Sequence, residues 1–205
     1  MKIGIYGGSF NPIHFGHIGL AKWVIENTDL DELWLMVSPN NPLKDTSILA
    51  DEQERLEKAK EAIGAYPQPL PEGKGVQAKG KKIIVSDFEF TLPRPSYTID
   101  TLRALKEKFP QHEFVLIIGA DNWNVFNRWK NHDEILKSHK IMIYPRQGFD
   151  IDIPVELAGS VTKLSSPIIE LSSTYIREQL KNSMNMNFYL PQDVYKYILE
   201  HKLYR

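Results

Sequence analysis

With 205 residues, 42% of them apolar and 25% charged, the chain has the proportions of a soluble globular protein long enough to bury a sizeable core. A net charge of −1 argues against a broad electrostatic footprint for nucleic acid or an anionic membrane, while leaving room for a local cationic pocket. The absence of cysteine excludes a disulfide framework, thiolate catalysis and a cysteine-rich metal site. The chain starts almost directly on an apolar strand, with no cleavable leader pattern, and no apolar run approaches the ~18 residues of a membrane helix. A cytoplasmic protein with no membrane partner is expected.

Residues 2–6 read as a buried strand, followed by the Gly-rich stretch Gly7-Gly8-Ser9-Phe10-Asn11-Pro12-Ile13-His14-Phe15-Gly16-His17. A helix over 16–27 carries Leu20, Ala21, Val24 and Ile25 as its apolar stripe, and Leu33–Val37 is a second buried strand. A Pro/Asn-rich loop, Ser38–Lys44, leads to a charged helix from Asp51, a cap-like residue, to Ala65. The Pro- and Gly-rich segment Pro67–Lys82 is expected to be an exposed, mobile loop. Ile83–Val85 and Phe88–Phe90 read as strands, Thr98–Phe109 as a helix, and Phe114–Ile118 as a strand covered on both faces. A helix at Asp133–Ser138, strands at Lys140–Tyr144 and Val161–Leu164, and helices at Ser173–Lys181 and Pro191–Leu203 complete the pattern. Alternating strands and helices predict an α/β, Rossmann-like open parallel sheet with helices on both faces. One domain, 1–205, is expected, with a C-terminal helical part from about 171 to 205. In such sheets ligands lie beyond the carboxyl ends of the strands, which gathers the Gly7–His17 turn, the Ser38–Lys44 loop and Gly119-Ala120-Asp121 on one rim.

A strand feeding a Gly-rich turn and a helix start is suited to phosphate. Glycine allows close backbone approach, and the first helical N–H groups carry partial positive charge. His14 and His17 stand three residues apart at that helix start, and share a face if the turn is already helical. The stretch matches neither G-x-G-x-x-G nor G-x-x-x-x-G-K-[ST]. It does match G-x-F-x-P-x-H-x-G-H and there resembles the HxGH class of nucleotidyltransferases. Leu171-Ser172-Ser173-Thr174-Tyr175-Ile176-Arg177 gathers hydroxyls, N–H groups and a guanidinium at another helix start; its S-S-T-x-I-R pattern resembles the second signature of the same class.

The middle of the chain narrows the resemblance. Pro95-Ser96-Tyr97-Thr98-Ile99-Asp100-Thr101-Leu102 is similar to the P-S-Y-T-x-x-T-L motif of nicotinate mononucleotide adenylyltransferases, and Gly119-Ala120-Asp121 with Trp129 to that family's G-x-D-x(7)-W. The resemblance implies transfer of the adenylyl group of ATP to nicotinate mononucleotide, giving nicotinate adenine dinucleotide and pyrophosphate. It implies that His14, His17 and Arg177 act at the ATP phosphates with Ser173 and Thr174, while Gly7, Gly8, Ser9 and Phe10 line the adenosine side. Mg²⁺ would bridge the phosphates, with no metal site of the protein's own. Trp129 would stack on the pyridine ring, with Trp123 as a rival aromatic. N–H groups near Tyr97-Thr98 and just after Trp129 would receive the ring's carboxylate, Asp121 a ribose hydroxyl, and Lys44 the mononucleotide phosphate. Asn11 departs from the resemblance, standing where many members carry Asp. Two alternatives stay open, nicotinamide mononucleotide or another phosphorylated acceptor and a catalytically silent nucleotide-binding regulator; assembly as a homo-oligomer is left open as well.

Overall fold

The computed structural model describes residues 1–39, 49–65 and 80–205. Six strands form one parallel sheet: β1 (Lys2–Gly8), β2 (Glu32–Val37), β3 (Lys82–Ser86), β4 (Glu113–Gly119), β5 (Lys140–Tyr144) and β6 (Val161–Lys163). Their order is β3-β2-β1-β4-β5-β6, so the direction of winding reverses between β1 and β4. The helices are α1 (Phe15–Asn27), α2 (Glu52–Gly64), α3 (Thr98–Lys108), the single turn α4 (Ala120–Trp123), α5 (His132–Ser138), α6 (Ser173–Lys181) and α7 (Gln192–Glu200).

Successive strand residues point to opposite faces, and the two cores follow that alternation. On one face Leu33, Leu35, Val37, Val115 and Ile117 meet α1, α2, α6 and α7 through Ala21, Val24, Leu56, Ala59, Ile176 and Ile198. On the other, Ile3, Ile5, Leu116, Ile118 and Ile141 meet α3 and α5 through Ile99, Leu102, Leu105 and Ile135. Burial on both faces explains the unbroken apolar run of β4, in which every residue after Glu113 is buried. The C-terminal helices therefore close one of the two layers.

Three boundaries differ from the sequence reading. Phe88–Thr91 is a 3₁₀ turn rather than a strand. The Phe-Glu-Phe alternation mimics a strand, but it arises because Phe88 and Phe90 pack against opposite cores while Glu89 turns inward to three hydroxyls. Gly7 and Gly8 belong to β1, paired with Met36 and Val37, so the turn proper begins at Ser9. The last helix stops at Glu200, and the chain beyond it winds on through Lys202 and Tyr204, both at positive φ. The expectations for Asn40–Lys44 and Pro67–Lys79 fall outside the described residues.

Candidate active site

The carboxyl ends of β1 and β4 flank the point where the sheet reverses, where α/β sheets open a crevice. A cavity of about 450 Å³ lies there, lined by Gly7–Phe10 and both histidines, by Asp121, Tyr144 and Arg146, and by Ser172–Thr174 with Arg177. Two segments more than 150 residues apart are joined directly. Arg177 Nη1 donates to the main-chain oxygen of Asn11 (2.8 Å), and Ser173 Oγ donates to that of Pro12 (3.0 Å). Arg177 Nη2 also donates to Thr174 Oγ1 at 3.2 Å, holding the guanidinium over the start of α6.

The loop that carries the histidines is built from the backbone outward. Phe10 adopts φ +46°, uncommon for a bulky residue, and its buried ring lies edge-on to Tyr6 and His17. His14 precedes the first turn of α1 in an extended conformation, and its N–H donates to His17 Nδ1 at 3.3 Å. With Nδ1 accepting, the neutral His17 ring carries its proton on Nε2. The two imidazoles are stacked, centroids 3.7 Å apart. Gly16 makes that stack possible: a Cβ there would meet the His14 ring at 2.9 Å and Ile169 at 3.1 Å.

His14 is 2% exposed, and neither ring nitrogen finds a hydrogen-bonding partner. Burial, and then the charge of Arg146, push its pKa down to about 3. A buried polar ring without partners, facing a cavity that holds two guanidiniums and the starts of two helices, is suited to an anion. Asp121 is the single carboxylate lining that cavity among the described residues. Its Oδ1 is buried without a hydrogen bond, 3.6 Å from Arg146 Nε. Gly119 clears the space for it, since a Cβ there would collide with that oxygen and with the ring of Tyr144.

Ser172, rather than Ser173, caps α6, its hydroxyl accepting from Tyr175 N at 3.1 Å. The Ser173 hydroxyl is donated to Pro12 and the Thr174 hydroxyl accepts from Arg177, while the first N–H groups of α6 have no partner within the helix. Asn11 is wholly buried, and its Oδ1 accepts from Ala50 N (3.1 Å) and from the hydroxyl of Tyr204 (2.6 Å). The carboxamide thus braces the loop.

Tyr97, Thr98 and Trp129 do not line this cavity; Tyr97 and Thr98 open α3, and Trp129 and Tyr97 belong to a second group packed against the core under that helix. Lys130 ties its parts together, lying 4.4 Å over the Tyr97 ring while bonding Asp100 Oδ2 at 2.8 Å. Phe126 packs between the indoles of Trp123 and Trp129. Trp123 is fastened by a bond from Nε1 to Asp152 O at 2.8 Å, whereas the buried Nε1 of Trp129 has no partner. Lys44 lies outside the described residues.

The sequence reading missed Arg146, Tyr6 and Tyr144. Arg146 follows the end of β5, next to β4 in the sheet, so the same rim rule that selected Asp121 would have reached it. It also missed Arg55, a buried guanidinium on α2 that donates to the main-chain oxygen of Ser9 at 2.6 Å.

At the switch point of this parallel sheet lies a cationic, imidazole-bearing cavity, and residues 5–179 match the cytidylyltransferase-like family model, which makes the chain a nucleotidyltransferase. The chain is 46% identical over 199 residues to a probable nicotinate-nucleotide adenylyltransferase of Bacteroides fragilis, covering 97% of this chain and 92% of that one. It is 43% identical to one from Flavobacterium psychrophilum over the full length of both. The chain belongs to the nicotinate-nucleotide adenylyltransferase family. Its fold is that of the Plasmodium falciparum nicotinic acid mononucleotide adenylyltransferase complexed with NaAD, with a TM-score of 0.77, 20% identity, and coverage of 99% of this chain and 97% of that one.

Proposed function

We propose that this enzyme joins ATP to nicotinate mononucleotide, forming nicotinate adenine dinucleotide and releasing pyrophosphate, as a step of NAD biosynthesis in the cytoplasm. The reading rests above all on end-to-end kinship with nicotinate-nucleotide adenylyltransferases, on a chain whose cavity joins the two histidines to Arg177. Residues 1–205 act as one unit, since α6 and α7 complete a core layer begun by α1 and α2.

A phosphate oxygen of the mononucleotide attacks the α-phosphorus of ATP, and the bond from that phosphorus to the bridging oxygen of the β-phosphate breaks. The nucleophile is already an anion at neutral pH, so no base is required of the protein. Its task is to bring two anions together and to spread the charge that develops on the α-phosphate and the departing pyrophosphate. His14 enters as a neutral imidazole and donates to a phosphate oxygen, as does His17 through Nε2. Arg177 and the first N–H groups of α6 hold the β- and γ-phosphates, and the Gly7–Phe10 backbone lines the adenosine side. Asp121 accepts from a ribose hydroxyl of the mononucleotide. Trp129 stacks on the pyridine ring, and N–H groups near Tyr97-Thr98 and just after Trp129 receive its carboxylate.

Mg²⁺ fits this site as an ion carried by the substrate. It favours phosphate oxygens and retained water with few protein ligands, and Asp121 is the one carboxylate lining the cavity among the described residues. When bound, it neutralises charge on the phosphates.

The test is incubation with ATP, Mg²⁺ and equimolar nicotinate and nicotinamide mononucleotides, separating the dinucleotides formed. Nicotinate adenine dinucleotide as the main product is expected. Predominance of the amide product would overturn the acceptor, and no dinucleotide at all would overturn the reaction.

A further inference from the structure

Two charged side chains are buried beside the site without belonging to the cavity, Arg55 at 3% exposure and Glu89 at 7%. A buried charge is costly unless every lone pair and proton is engaged, so their partners show what they hold. Arg55 faces main-chain carbonyls. Nε donates to Ala50 O (3.0 Å), Nη1 to Ser9 O (2.6 Å) and Ser38 O (2.8 Å), and Nη2 to Pro39 O (3.0 Å). One planar fork thereby ties the loop after β1 to the loop after β2 and to the start of α2.

Glu89 faces hydroxyls. Its Oε2 accepts from Ser38 (2.8 Å) and Ser96 (3.3 Å), and its Oε1 from Thr101 (3.0 Å). Ser96 lies in the turn before α3 and Thr101 in that helix's first turns, so one carboxylate fixes the segment carrying Tyr97 and Thr98. Ser38 is the shared member, its carbonyl on Arg55 and its hydroxyl on Glu89. Continuous hydrogen bonds therefore run from Ser9, beside the histidines, through Arg55, Ser38 and Glu89 to Ser96 and Thr101.

We propose that Arg55 and Glu89 are positioning residues, a buried brace that fixes the half-site for ATP against the half-site for the mononucleotide through Ser38. The inference rests on the two-substrate reading given above. Attack on the α-phosphorus requires two separately bound nucleotides in register, and a displacement of about 1 Å costs ~10²-fold in rate. Neither residue touches the cavity, so loosening the brace leaves each half-site able to bind its own ligand. The signature is a fall in kcat without matching loss of either affinity.

The experiment measures kcat, and separately the Kd of ATP and of nicotinate mononucleotide, in Glu89→Ala, Glu89→Gln and Ser38→Ala. Glu89→Ala should lower kcat by ~10–10²-fold while both Kd values stay within threefold. Glu89→Gln should retain kcat within threefold, because the hydroxyls of Ser38, Ser96 and Thr101 can rotate to accept from its amide as well as donate to its oxygen. Ser38→Ala keeps the carbonyl on Arg55, removes one hydroxyl and should cost ~3–10-fold in kcat. Unaltered kcat in Glu89→Ala, a loss confined to the affinity of one ligand, or a Gln variant as impaired as the Ala variant would each overturn the brace. Should Glu89→Ala fail to fold, Ser38→Ala with unaltered kcat overturns it alone. A wild-type enzyme forming no dinucleotide would instead overturn the reaction, an outcome visible before any variant is measured.

Discussion

Replacing His17 with alanine probes the charge-stabilising role most directly. In the structure its Nδ1 accepts from the main-chain N–H of His14, which commits the proton of the neutral ring to Nε2. Removal of one preorganised donor at a centre of developing charge costs about 2.7–4 kcal/mol, or ~10²–10³-fold in turnover. The collateral structural cost, about 2–4 kcal/mol in sum, is of similar size but falls on folding stability, of which a domain has about 5–15 kcal/mol. The His14 N–H loses an acceptor at 3.3 Å, worth about 1 kcal/mol, and stacking with His14 and the edge contact with Phe10 add ~0.5–1.5 kcal/mol each. A folded variant is therefore expected, verified by its thermal transition, with kcat reduced by ~10²–10³ in a pyrophosphate-release assay at saturating ATP, Mg²⁺ and nicotinate mononucleotide. Turnover within a factor of three of wild type, in a variant with a native-like transition, would remove His17 from the chemistry.

The second aromatic group offers a different perturbation: Trp129→Ala should raise the KM of the mononucleotide by ~10-fold, the range of one stacked ring, with that of ATP changed less than twofold. Equal weakening of both substrates would move the stacking role away from Trp129. Adding a methyl group at Gly16 should press on His14 and Ile169; Gly16→Ala is expected to lower the denaturant midpoint by an amount equivalent to ~1–3 kcal/mol and kcat by at least ~10-fold. An alanine variant as stable and active as wild type would show the stack to be unimportant. Acid sensitivity follows from His14. Its folded pKa, near 3, lies below the ordinary value of 6.5, so the stability it contributes is fully present above pH 6.5 and is lost as the pH falls toward 3, at up to ~1.4 kcal/mol per unit. Denaturation followed from pH 7 to 4 without phosphate should show a slope shallower by up to one proton in His14→Asn, and identical slopes would contradict the assignment.

How far the sequence carried depended on whether a feature is local. The β4 run and the Gly-rich turn declare themselves because burial on both faces and close backbone approach select residue types directly. The histidine and Ser-Ser-Thr segments stood out as two helix starts suited to an anion, and the structure brings them into one cavity. Phe88–Phe90 misled because its alternation is produced by a turn lying between two cores. Arg55 looks like any charged residue on an amphipathic helix; only the tertiary placement of four carbonyls reveals its use. Asn11 stood out in the sequence only as a departure from Asp; its carboxamide oxygen serves Ala50 and Tyr204, a partnership no local pattern encodes.

That last bond has a temporal consequence. Asn11 and Tyr204 are 193 positions apart, and Asn11 and Arg177 are 166 apart. A chain emerging from the ribosome exposes its first loop long before the side chains that steady it have been synthesised. Competence to grip a triphosphate should therefore wait until the segment around residue 204 has been made and can reach back to that first loop.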